Sequence, residues 1–121
     1  MNKNTGRDKR LYPRVEHNLP VKLAVNGYKF ETSTQNISCI GAYCRINKYM
    51  PPFTKIMVNL ALPISGKKCN VECKGVIVRS DDDSSGGFNI AIFFNNIAEA
   101  SRKKIERYVK ALLPKELTAA K

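Results

Sequence analysis

Arg10 and Arg14 stand four residues apart, separated by Leu11, Tyr12 and Pro13. A guanidinium group is planar, permanently charged and forked. It grips a phosphate or a guanine edge through two parallel hydrogen bonds, and it stacks on ring faces. Pro13 fixes its own φ and pushes Tyr12 toward extended geometry. The stretch therefore reads as an extended or turned arm on which two arginines can converge on one anion. Taken alone, the pair is equally well explained as solvated charge.

A second stretch, Asn36-Ile37-Ser38-Cys39-Ile40-Gly41, gathers short polar groups between two strand patterns. The Asn36 amide offers a donor and an acceptor, Ser38 offers a hydroxyl, and Gly41 lets backbone approach a ligand closely. The same residue types also build plain strand-to-strand turns.

The elements that must hold these groups are mostly strands. Leu19, Val21, Leu23 and Val25 alternate with Pro20, Lys22 and Ala24, which predicts a half-buried strand. Asn26-Gly27 predicts a tight hairpin, because both residues tolerate positive φ. Tyr28 to Thr34 alternates as the return strand, and Ala42, Cys44 and Ile46 keep the same period. Met50-Pro51-Pro52 breaks the chain. Residues 56–62 alternate again, and residues 69–79, CNVECKGVIVR, form a long strand pattern in which Gly75 predicts a bulge or bend. Asp81 to Gly87 reads as a solvated loop, and Phe88, Ile90, Ile92 and Phe94 as the last strand.

The period then changes. Ile97, Ala100, Lys104, Ile105, Tyr108, Val109, Leu112 and Leu113 follow a spacing near 3.6, predicting a helix over about 96–113. Asn96 and Glu99 resemble a capping box, and Pro114 ends the helix. The expected fold is all-β dominated: a six-stranded antiparallel β-barrel or a sandwich, with a C-terminal α-helix able to cover a mouth or edge. Residues 1–9 are expected as a flexible basic arm, 10–114 as the domain and 115–121 as a tail.

Composition narrows the function. The 121 residues carry 21 Lys and Arg against 10 Asp and Glu, a formal net charge of +11. Such an excess calls for an anionic partner: nucleic acid, nucleotide, acidic protein or lipid surface. No apolar run is long enough to cross a bilayer, and the basic N-terminus lacks a following apolar stretch. Membrane insertion is therefore not expected, and a cytoplasmic location is. The single histidine, His17, has no nucleophile or second histidine to work with, so no enzymatic activity is expected. His17 reads as a loop or strand-edge residue. Cys39, Cys44, Cys69 and Cys73 lack zinc-ribbon spacing and read as buried structural thiols. Cys39, inside the second polar stretch, could be exposed and open to oxidation. Asp81-Asp82-Asp83 lacks the spaced oxygens of a calcium loop.

In order, R-x-x-x-R followed one hairpin later by [D/N]-x-S-x-x-G resembles the PilZ domain, a bacterial receptor module for cyclic di-GMP. Arg10 and Arg14 match the first motif; Asn36, Ser38 and Gly41 match the second. Gly75-Val76-Ile77-Val78-Arg79 and Gly87 to Phe94 are similar to the family as well, so the resemblance runs from about residue 9 to about residue 112. It implies a six-stranded antiparallel barrel with a C-terminal helix and a cyclic di-GMP ligand rather than a cofactor. By that resemblance Arg10 and Arg14 hold phosphates and guanine edges. Asn36 bonds a guanine edge or nearby backbone, Ser38 bonds guanine or phosphate, and Gly41 keeps the surface open. Asn36 stands where the family more often has Asp; it keeps the acceptor oxygen but lacks the charge. Lys9 resembles members that bind a stacked pair of ligands, so one molecule and a pair are both compatible. Arg79 could stack on or bond a guanine, or be an exposed strand-end charge.

Ordering of the arm over the ligand is the expected signal, read by a protein effector. Lys103, Lys104, Arg107 and Lys110 offer a basic helix face for such a partner. Two other readings share the composition. A basic barrel with Tyr12, Tyr28, Tyr43 and Phe53 could bind single-stranded nucleic acid. A PilZ-like adaptor could bind protein without nucleotide.

Overall fold

The computed structural model describes residues 14–112. The arm expected over 1–9 and the tail over 115–121 lie outside them. Six strands and a helix follow in order: β1 (Pro20–Val25), β2 (Tyr28–Ser38), β3 (Gly41–Ile46), β4 (Lys55–Ile64), β5 (Lys67–Asp82), β6 (Phe88–Asn96) and α1 (Glu99–Leu112). The strands form a closed antiparallel barrel in the order β1-β2-β3-β6-β5-β4, with β1 pairing β4 to complete the circle. Closure leaves no unpaired sheet edge.

The alternation read from the sequence is the alternation of the wall. Val21, Leu23 and Val25 point inward, as do Ile56, Val58, Leu60 and Leu62, and Ile90, Ile92 and Phe94. Asn26 and Gly27 turn β1 into β2 with φ of 48° and 86°. Those positive angles give the turn a twist that matches its strands. The bend expected at Gly75 is present, for the β5–β6 register shifts between Lys74 and Val76. A Cβ there would lie 2.7 Å from Ile92 Cγ2 and 3.0 Å from the Phe93 carbonyl. Cys44 and Cys73 are core residues, and burial pushes their thiols up to about 12 and about 11.

β2 runs on to Ser38, beyond Thr34 where its alternation ends, and two further boundaries differ from expectation. β5 continues through Asp82, because Asp81 and Asp82 pair with Asn89 and Phe88 across the ladder. The loop is therefore shorter than the aspartate run implied. It is organised by Asp83, whose carboxylate accepts bonds from the Ser85 hydroxyl, from Asn89 Nδ2 at 3.0 Å and from the Ser85 backbone N–H at 3.1 Å. Those bonds, the Ser85 hydroxyl first, hold the Asp83 carboxyl down at about 2.

The second difference is at the helix start. Asn96 does not cap α1; it is the last residue of β6, paired with Lys74. The helix instead starts at Glu99, with Arg102 N–H donating to the Ala98 carbonyl at 2.9 Å. Ile105, Tyr108 and Val109 form its buried stripe, packed against the barrel at β2, β4 and β5. α1 leaves β6 at the barrel end that also carries the β2–β3 and β4–β5 turns.

Candidate ligand-binding site

Arg14 directly precedes Val15, which the barrel holds through backbone hydrogen bonds. Val15 N–H donates to the Ile37 carbonyl at 3.0 Å, and Ile37 N–H donates to the Val15 carbonyl at 3.0 Å. This is an isolated antiparallel bridge. Both side chains are buried, so the bridge is anchored by apolar packing as well as by hydrogen bonds. Its register sets Arg14 across from Ser38 and Glu16 across from Asn36.

Thr34 fastens the next residues. It is fully buried, its N–H donates to the Leu19 carbonyl at 2.9 Å, and its Oγ1 accepts from Leu19 N–H at 2.9 Å. The same hydroxyl donates to the His17 carbonyl at 2.6 Å. The His17 ring then reaches the helix, where Nδ1 hydrogen-bonds the Tyr108 hydroxyl. One short segment, residues 15–19, is thus tied to β2 at two points and to α1 at a third.

The orientation of Asn36 depends on a bulge. Thr34 points inward, and a regular strand would send residue 36 inward too. The β2–β3 register shifts between Thr34 and Asn36, which resets the parity. Ile37 becomes the inward residue, and Asn36 and Ser38 flank it on the outer side.

The bridge thus brings the Arg14 backbone next to the Asn36–Ser38 stretch, though the cleft that Arg14 lines holds neither Asn36 nor Ser38. Arg14 is exposed and lines a cleft of about 340 Å³ with Val15, Glu16, His17 and Leu112. Among the described residues the ion pairs are Arg45 with Asp83 and Arg79 with Asp81, so neither engages Arg14. Asn36 is half-buried, and its Oδ1 has no hydrogen-bond partner among the described residues. A buried amide oxygen left in that state is costly unless a donor arrives. Ser38 is fully buried, and its Oγ accepts Ile40 N–H at 3.3 Å, shaping the two-residue turn into β3.

Gly41 has a different reason for being glycine from the one the sequence offered. It is buried, and a Cβ there would lie 2.3 Å from the Ile92 carbonyl oxygen. The missing side chain lets β3 and β6 approach; it is a requirement of the barrel. Arg10 and Lys9 lie outside the described residues.

Arg79 stands on the outer wall, its Nε 2.9 Å from Asp81 Oδ2. The ladder registers connect it to the site: Asn36 pairs with Tyr43, Tyr43 with Ala91, and Ala91 with Arg79. Cys39 is buried rather than exposed, with Sγ 3.6 Å from Glu106 Oε2. Burial, and then the neighbouring Glu106 carboxylate, raise its thiol above the ordinary value, which opposes the reactive thiolate.

Val15, Thr34 and Tyr108 position the site, and local pattern did not single them out for that role. Their signals were a β-branched residue directly after Arg14, a threonine on the inward face and a tyrosine on the buried helix stripe. Among the described residues no group of three His, Cys, Asp or Glu side chains is arranged to hold a metal ion. No helix among them is long and apolar enough to cross a membrane.

Comparison with known proteins gives a consistent outcome. A family model described as "PilZ domain" matches residues 8–111. No curated protein matches the chain. Among solved structures, the inhibitor of motility MotI/DgrA from Bacillus subtilis is similar with a TM-score of 0.79 at 18% identity, over 91% of this chain and 52% of that one. The chain thus spans about half the length of that protein. The PilZ domain of YcgR from Escherichia coli, solved with c-di-GMP, gives a TM-score of 0.63 at 10% identity, over 93% of this chain and 97% of that one. The PilZ domain of CeSA from a cellulose-synthesizing bacterium gives 0.60 at 19% identity, over 83% and 97%. At these identities the structural likeness speaks to fold alone.

Proposed function

Because the chain belongs to the PilZ domain family, we propose that it is a cyclic di-GMP receptor that acts on a protein partner and not through catalysis. The observation that carries this reading is the Val15–Ile37 bridge. Its register puts Arg14 across from Ser38, two residues from Asn36, whose amide oxygen has no hydrogen-bond partner among the described residues.

The chemistry follows from the groups present. Arg14, joined by Arg10 from the preceding arm, supplies forked donors to a phosphate or to guanine O6 and N7. Asn36 Oδ1 accepts from a guanine N–H, or from a guanidinium that the ligand draws inward. Asn in place of the more usual Asp weakens that bond without removing it. Ser38 and Gly41 shape the turn that holds Asn36 in place. Lys9 adds positive charge next to Arg10, and one bound molecule or a stacked pair both satisfy the charge of the site.

Signal transfer uses the His17–Tyr108 contact. His17 lies three residues beyond Arg14 and touches the helix directly. Ordering of the arm on the ligand thereby changes the surroundings of α1. The exposed Lys103, Lys104, Arg107 and Lys110 of that helix form the surface that a partner would read.

Isothermal titration tests the reading against the nucleic-acid alternative. The chain is expected to bind cyclic di-GMP at tens of micromolar or below, and to bind a single-stranded oligonucleotide only weakly and with a steep loss in salt. Saturable oligonucleotide binding with no heat from cyclic di-GMP would reverse the assignment.

A further inference from the structure

Much of the exposed apolar surface lies on one stretch of the outer wall. Seven large hydrophobic side chains stand exposed among the described residues, and four of them, Phe53, Met57, Val78 and Phe93, belong to this stretch. The ladder registers bring them together. Val76 pairs with Phe93 on one flank and with Lys55 on the other, and Met57 pairs with Lys74 two residues along. Phe53 N–H donates to the Ile77 carbonyl at 2.6 Å, and Ile77 N–H donates to the Thr54 carbonyl at 2.9 Å, which seats Phe53 beside the Ile77–Val78 step. Two residues, Phe53 and Thr54, thus oppose one, the arrangement of a β-bulge. Phe53 takes a φ of 73° there, a left-handed angle that glycine adopts freely and a bulky residue does not. Its ring is 83% exposed, so the core gains nothing from it. A strained backbone that carries a solvent-facing ring points to a use outside the fold. Beside the apolar residues, Lys55, Met57, Lys74, Gly75, Asn95 and Asn96 help line a cleft of about 430 Å³. The β5–β6 register shift between Lys74 and Val76 falls among them. Neither lysine enters an ion pair among the described residues.

We infer that this wall is a docking surface for an acidic protein segment, whose apolar side chains cover Phe53, Val78 and Phe93 while its carboxylates reach Lys55 and Lys74 at the cleft. Charge decides among the occupants. A second copy would set these lysines against another chain of net charge +11, and like charges across an interface repel. An anionic bilayer would meet Asp81 and Asp82, which stand exposed on β5 a few residues beyond Val78. A segment that intersperses Asp or Glu with apolar residues satisfies both halves of the surface. Aromatic anchors with charges around them are where such interfaces concentrate their binding energy. The surface lies on the barrel wall and not on α1, and it stands whether or not cyclic di-GMP binds.

The test is selection of a random peptide library, displayed on phage, against the immobilised full chain, followed by titration of a synthesised enriched peptide. Enriched sequences are expected to combine Asp or Glu with Leu, Ile or Phe. Phe53→Gly and Lys55→Glu are each expected to weaken the peptide roughly tenfold or more. Phe53→Gly is also expected to leave the melting midpoint unchanged or to raise it, because glycine relieves the backbone. Lys103→Glu, on the exposed face of α1, is the control for charge and should bind the peptide as wild type does. Circular dichroism confirms folding, and if Phe53→Gly fails to fold, Lys55→Glu and Phe93→Ser carry the test. Neutral or basic enriched sequences, no enrichment over a blank surface, or an acidic peptide whose binding survives Phe53→Gly and Lys55→Glu would overturn the inference. So would sedimentation with phosphatidylglycerol vesicles, or self-association of the chain, that depends on Phe53 and occurs without any enriched peptide. Titration of the wild-type chain with cyclic di-GMP decides the receptor reading separately.

Discussion

Arg14→Ala is expected to lower cyclic di-GMP affinity by about 100-fold or more while leaving the melting temperature within a degree or two of wild type. The two halves of the prediction come from different facts. Arg14 is exposed and enters no ion pair among the described residues. Its backbone neighbour Val15 carries the structural load through the bridge to Ile37. The side chain is therefore available to the ligand. Truncating one partner of a hydrogen-bonded charge pair typically costs 2–5 kcal/mol, about 30-fold to several-thousand-fold in affinity. Titration calorimetry reads the first half and a thermal melt the second. Arg10→Ala should behave alike, because one guanidinium cannot replace the second fork. Binding within a few-fold of wild type in Arg14→Ala would remove that residue from the site.

Gly41→Ala is expected to produce the opposite division: a large loss of stability, with binding lost only as a consequence of unfolding. The added Cβ would lie 2.3 Å from the Ile92 carbonyl oxygen, and that atom is backbone within the β3–β6 ladder. Nothing flexible can move aside, so the two strands must separate. Their separation breaks the pairing that runs from Gly41–Phe93 to Ile46–Phe88. Overpacking of this kind costs about 1–3 kcal/mol or more, equivalent to a fall of roughly 5–15 °C in melting midpoint for a domain of this size. A urea or thermal melt measures it. A Gly41→Ala variant that melts with wild type but no longer binds would restore the ligand role that the sequence pattern offered for this residue.

The contrast between these two residues shows what the sequence carried and what it did not. Both belong to the same motif pair, and pattern alone treats them alike. Strand alternation was legible because Val, Ile and Leu at every second position leave only one face to bury. The β1–β2 turn was legible because Asn26 and Gly27 accept positive φ. The β2–β3 turn was legible as a polar strand-to-strand stretch over 36–41, but its exact residues were not, because Cys39 and Ile40 carry no turn signature of their own and β2 runs on to Ser38. Asp81 and Asp82 looked like loop residues, but ladder pairing with β6 outweighed their poor strand propensity.

Non-local contacts account for the rest. The Val15–Ile37 bridge joins positions 22 apart, and nothing in either local pattern names the other. The bulge that turns Asn36 outward lies at Gln35, a residue with no bulge signal of its own. His17 read only as a loop or strand-edge residue because its partner, Tyr108, lies 91 residues away. The motif resemblance brought Arg14 and Asn36 together on paper. The register sets Arg14 across from Ser38, and Glu16 rather than Arg14 across from Asn36.

Amide chemical-shift mapping of the isotopically labelled chain during titration with cyclic di-GMP tests the central claim most directly. The largest shifts are predicted at Arg14 to His17 and at Asn36 to Gly41, with smaller ones at Tyr108 on the helix. Saturating shifts confined to the opposite wall, at Lys22, Asn59 and Glu72 for example, would contradict a site built where the arm meets the β2–β3 turn.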